Sequence, residues 1–197
     1  MPADVSQLIL VYKRIAELQG VTHSCSPPLC LSELYTLEMP APLSAKKAPT
    51  PQLQLDAFLD KYSPAVATLA RACLAKMRAR LPGAVQLVYD NYNALAIGFG
   101  PSERASEAVF SIALYPRWVT LFFLQGAGLP DPKRLLKGSG KIVRSIVLAS
   151  AADLDSPAVH GLMATALKRA EPAIDADAPG SLVIRSVSAK QRPRRPA

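Results

Sequence analysis

The sequence is short of cysteine, of aromatic side chains and of charge. Its three cysteines, Cys25, Cys30 and Cys73, are too few for a disulfide framework, and one must stay unpaired. A reducing, cytoplasmic setting is therefore expected. Charged residues make up 19% and aromatics 6% of the 197 residues, whereas 50% are hydrophobic. Such a chain is too apolar to be wholly disordered. No apolar run approaches the roughly 18 residues of a membrane-spanning helix, so no membrane insertion is expected. The stretch Leu8–Tyr12 is too short for a secretory leader, and Lys13 and Arg14 follow rather than precede it. Catalytic signatures are missing too: there is no Ser/His/Asp arrangement, HExxH, nucleophile elbow, Rossmann fingerprint or P-loop. The sequence thus leans away from an enzyme, and no cofactor is expected. Only two histidines exist. His23, Cys25 and Cys30 stand close together without a zinc-binding spacing, and His160 suits a structural place in a helix.

Composition divides the chain in three. Residues 1–52 hold a stretch with the pattern of a helix, Val5–Leu18, and then Pro/Ser/Ala-rich sequence. In that stretch Val5, Leu8, Ile9, Tyr12 and Ile15 follow a 3.6-residue period. It either docks on the domain or precedes a true start at Met39. Residues 53–171 are strongly patterned and form the expected domain. Residues 172–197 return to Pro, Asp, Ser and basic residues, and a flexible basic tail is expected there. The net charge of +8 divides as zero, +5 and +3 over these segments.

Within the domain, Leu55, Phe58, Leu59 and Tyr62 make a short helix face. Ser63-Pro64 restarts the chain, with serine as cap and proline in the first turn. The second helix buries Val66, Leu69, Ala70, Cys73, Leu74 and Met77 and ends at Pro82-Gly83. Five strands are expected at 85–90, 94–99, 109–115, 118–124 and 142–149, the third and fourth joined by a tight hairpin at Pro116-Arg117. The fourth is apolar on both sides, as in a strand in mid-sheet. Asp131-Pro132 reads as a short helix ending at Gly138, and Ser156-Pro157 opens a longer one. The fold class is α+β: a helical hairpin, a five-stranded, mostly antiparallel sheet and a C-terminal helix.

The runs LVYDNYNALAIGFGP, FSIALYPRWVTLFFLQGAGLPDP and LLKGSGKIVRSIVL resemble the YdhG-like domain of unknown function. The resemblance covers about residues 53–170. It implies a compact α+β fold of this element order. It also implies, by analogy with one member, a frataxin-like role in iron handling. Many members carry Trp-Gly-x-Pro after the helical hairpin, where this chain has Tyr89-Asp90-Asn91-Tyr92-Asn93, so it would be a divergent branch.

Two groups of residues are candidate ligand contacts. Lys137, Lys141 and Arg144 flank the amides of Gly138–Gly140, a combination suited to a phosphate or carboxylate. The same residues suit a solvated turn. Tyr89, Asp90, Tyr92 and Asn93 stand where a strand meets a turn and could line a polar pocket, with Asp90 as base or cation contact. Turn formation explains them as well. Arg117 and Trp118, at the hairpin, could stack on a ligand. The leading expectation is a binding module for a small anionic ligand or partner. The alternatives are iron handling and weak nucleic-acid binding through Arg71, Lys76, Arg78, Arg80 and the Arg192–Arg195 tail. Scattered acids and a positive domain disfavour iron, and absent recognition motifs make nucleic acid an unlikely partner. The doubly apolar fourth strand suggests a homodimer.

Overall fold

The structure is a computed structural model and describes residues 49–196. The Val5–Leu18 stretch and the His23, Cys25 and Cys30 group lie outside the described residues.

Helix α1 spans Pro51–Leu59, α2 spans Pro64–Arg80 and α3 spans Pro157–Lys168. Each opens on a hydroxyl residue followed by proline. Thr50 Oγ1 accepts the amide of Leu53 at 3.3 Å, and Ser156 Oγ accepts that of Val159 at 3.4 Å. Ser63 makes no such side-chain bond, so α2 starts on the fixed φ of Pro64 rather than on serine capping. The strands are β1 (Val85–Asp90), β2 (Leu95–Gly100), β3 (Phe110–Leu114), β4 (Val119–Phe123), β5 (Arg144–Leu148) and β6 (Ser181–Val187). They form one sheet in the order β5-β4-β3-β2-β1-β6. The first five are antiparallel neighbours, and β4 lies between two partners as its apolar faces require.

Two expectations are corrected. The sheet has six strands, not five, because part of the expected tail pairs with β1 in parallel. The chain leaves α3 at the end of the sheet where β1 begins, so the next strand runs the way β1 runs. Two glycines permit the close approach: a Cβ on Gly83 would fall 1.7 Å from the carbonyl oxygen of Asp175, and one on Gly180 would fall 2.3 Å from that of Pro82. Asp131-Pro132 opens no helix. The Asp131 carboxylate instead accepts the amides of Leu135 and Leu136, at 3.0 and 2.7 Å, and holds an irregular turn. That turn places Arg134 at φ 52°.

One face of the sheet carries the main core. Leu95, Ile97, Phe110, Ile112, Leu121 and Phe123 pack there against Leu55, Leu59, Ala70, Cys73, Met77, Leu162 and Met163 of the helices. Phe110 and Phe123 meet edge to face at 5.5 Å. Cys73 is fully buried, and burial pushes its thiol up to about 11, which suits a small hydrophobe rather than a reactive group. Tyr62, just after α1, is buried with its hydroxyl between the amide of Leu95 at 3.0 Å and the carbonyl of Leu114 at 3.1 Å. One side chain thus ties the helical hairpin to β2 and β3.

Burial pushes the Tyr62 phenol up to about 12, partly offset by the nearby Arg194 guanidinium. A raised folded-state pKa contributes stability that is whole below the unfolded value of about 10 and is lost as pH rises through the folded one. Tyr62→Phe is expected to cost about 1–2 kcal/mol at neutral pH and to flatten the loss of stability between pH 10 and 12. Urea unfolding across that pH range checks it; an unchanged alkaline slope would contradict it.

Candidate functional site

The register places the two predicted groups of site residues at opposite ends of the sheet. Asp90 pairs with Leu95, in the row that continues through Leu114, Val119 and Leu148. Arg144 pairs with Phe123, at the end where Phe110, Phe99 and Gln86 lie. The basic loop and the Tyr89–Asn93 segment therefore do not share a cavity.

At the first end Asp90 is completely buried. Its Oδ2 accepts from Lys61 Nζ at 2.8 Å and Gln191 Nε2 at 2.7 Å, and its Oδ1 accepts from Arg194 Nη2 at 2.8 Å. Arg194 is only 5% exposed, donates also to the carbonyls of Asn91 and Tyr92, and lies 5.6 Å from the Tyr62 ring centre. Arg195 donates to the carbonyls of Tyr62 and Asp60, at 3.2 and 3.0 Å. The Arg192 amide reaches Tyr92 O at 3.0 Å, and the Ser188 amide reaches Asp90 O at 2.8 Å. Residues 188–195 are thus a strap, and the pocket expected around Asp90 is filled by the chain's own arginine. The cations that the carboxylate meets are the chain's own Lys61 and Arg194.

The other residues expected there take structural places. Tyr89 is buried on the opposite side of β1, and burial raises its phenol while Arg185 opposes the shift. Tyr92 is exposed and Asn93 half-buried in the turn. Trp118 stacks on Tyr115 at 5.3 Å between ring centres, so the two rings meet each other at the hairpin, and Arg117 is exposed at its tip.

At the second end the basic loop is tied down. The Lys137 amide and carbonyl pair with Ser145, at 2.8 and 2.9 Å, and Lys137 Nζ reaches Arg134 O at 3.4 Å. Arg144 turns back onto the carbonyls of Gly140 and Val143, which takes up its guanidinium within the loop. Lys141 is exposed and has no ion-pair partner among the described residues.

Lys141 borders a cleft of about 920 Å³. Its apolar walls come from Val109, Phe123, Leu124, Ile142, Val143 and Ala166, and its charged rim from Lys141, Arg169, Glu107 and Glu171. Glu107 is already matched by Ser102 Oγ and by Arg104 at 3.4 Å. Arg169 donates to the carbonyl of Gly128 at 3.0 Å. The cleft forms where the exit of β4, the entry of β5, the turn Ala105–Glu107 and the end of α3 meet. Arg169 and Glu171 sit beyond the last strand expected from the sequence, and only the tertiary fold brings them to Lys141.

The basic face of α2 is largely paired. Arg71 meets Asp60 at 2.6 Å, Lys76 and Arg80 meet Asp155, and Arg78 bonds Gln86 at 2.8 Å. Among the described residues no three His, Cys, Asp or Glu side chains cluster as a metal site. No family model, curated protein or solved structure matches the chain.

Removing one member of a buried ion pair leaves the other uncompensated. Arg194→Ala is expected to destabilise the protein by about 3 kcal/mol, and Asp90→Ala by a similar amount. The double variant should fall short of the sum by about 1–3 kcal/mol. Urea denaturation of the four proteins measures this coupling, and additive losses would contradict it.

Proposed function

We propose that the protein is a binding module for a small anion with an apolar body, seated in the cleft beside Lys141. The observation that carries this reading is an apolar cleft of about 920 Å³ rimmed by Lys141 and Arg169. A concave, mostly apolar site with a few convergent polar groups is the usual form of a small-molecule site. Glu107 is neutralised locally by Arg104. The two cations are then opposed by Glu171 alone, and the rim favours one negative charge on the ligand. Of the three basic residues expected on the loop, Lys141 is the one that supports this role. Membership of the YdhG-like family is likewise a proposal, resting on the three sequence runs given above. The binding reading does not depend on it.

Octanoate and octanol are suitable probes, since they share a chain and differ in charge. Octanoate should bind more tightly, and should shift the amide resonances of residues 105–109 and 141–143. Lys141→Ala and Arg169→Ala are each expected to weaken octanoate about tenfold, equivalent to about 1.4 kcal/mol, and to leave octanol unchanged. Equal affinity for the two probes, or no shift at those amides, would overturn the reading.

A further inference from the structure

The three helices lie on one face of the sheet, and the other face has no described helix across it. That second face is formed by Ala96, Gly98, Ser111, Ala113, Thr120 and Phe122, which alternate with the main-core residues. Apart from the strands and the residues flanking them, Val143 among these, only Ala105 joins its apolar cluster among the described residues. One alanine cannot close four strands to water. The face is nevertheless closed: Ser111 and Ala113 are 0% exposed, Phe122 1% and Thr120 3%. Moreover, Ser111 Oγ and Thr120 Oγ1 are buried there with no hydrogen-bond partner among the described residues. Buried hydroxyls left without partners are costly, so the cover should bring a polar atom with it.

We infer that the N-terminal segment Val5–Leu18 of the same chain docks on this face as a helix. Forty-eight residues precede the described part of the chain, and this segment is the longest run among them with a helical apolar period. Its stripe of Val5, Leu8, Ile9, Tyr12 and Ile15 is apolar except for one hydroxyl, on Tyr12. Lys13, Arg14 and Glu17 fall off the stripe, towards water. A helix of this length spans about 20 Å at 1.5 Å per residue, which matches four strands spaced about 4.8 Å apart. The small side chains of Ala96, Gly98 and Ala113 let a helix carrying Leu, Ile and Tyr come close to the sheet. Tyr12 supplies the polar atom that Ser111 and Thr120 lack. The remaining 30 or so residues, at up to about 3.3 Å each, reach either edge of the sheet without strain.

The test uses the full-length chain with a benzophenone amino acid in place of Val147. That residue is 58% exposed and pairs with Thr120, so the probe sits at the rim of the face without disturbing the core. A mixture of 14N- and 15N-labelled protein is irradiated and the crosslinked peptides are identified by mass spectrometry. The inference predicts crosslinks within one chain to residues 5–18, reduced severalfold when Leu8→Asp and Ile9→Asp are added, with the protein still folded by circular dichroism. Crosslinks joining a 14N chain to a 15N chain would make a second copy the cover and overturn the inference. Absence of any crosslink to residues 5–18 in folded protein would also overturn it. Octanoate binding is not a readout here, so this test stands or falls separately from the cleft.

Discussion

An aspartate carboxylate shut away from water is unfavourable by several kcal/mol unless cations and donors surround it. Asp90 occupies that position at the last residue of β1, and the way it is satisfied sets the form of one whole end of the molecule. Lys61 comes from the loop between α1 and α2, and Gln191 and Arg194 from the strap after β6. The carboxylate therefore binds the helical hairpin, the first strand and the chain end at one point. Tyr62 sits beside it, with its ring beneath Arg194 and its hydroxyl shared between β2 and β3. Remove the carboxylate, and the strap loses the partner that makes burial of a guanidinium tolerable.

The opposite end of the sheet is built on another principle. There the strand ends diverge from the end of α3, and a mainly apolar cleft opens between them. Its charges stand at the rim, where Lys141 keeps its ammonium in water and Arg169 is steadied by one carbonyl. A charge of this kind is available to a ligand, whereas the charges around Asp90 are spent on each other. Arg144 shows the same contrast within a single loop, since its guanidinium is used up on the carbonyls of Gly140 and Val143.

Much of the fold was legible in local patterns. The alternation of Leu95, Ile97 and Phe99 placed the core face of β2, the doubly apolar β4 announced an interior strand, and Ser156-Pro157 marked the start of α3. The misses have physical causes. Ser181–Val187 is a half-exposed edge strand, so its alternation is weak, and its place is set by a parallel pairing with residues nearly a hundred positions away. Asp131 looked like a helix cap because one carboxylate can hold successive amides in an irregular turn just as well. Around the site, Asp90 reads from the sequence as a candidate contact where a strand meets a turn, whereas Arg194 reads as one basic residue among several in a tail. Nothing local distinguishes a buried arginine from its exposed neighbours Arg192 and Arg195. The partnership of Lys141 with Arg169 is equally long-range and depends on where α3 ends.

Hydrogen exchange followed by mass spectrometry, comparing the full-length protein with Asp90→Asn, tests most directly whether this carboxylate secures the chain end. Asparagine keeps the shape and removes the charge. The account predicts that protection falls across 181–195 and around Tyr62, while the amides of β3 and β4 exchange as before. Unchanged protection of the strap in Asp90→Asn would contradict it.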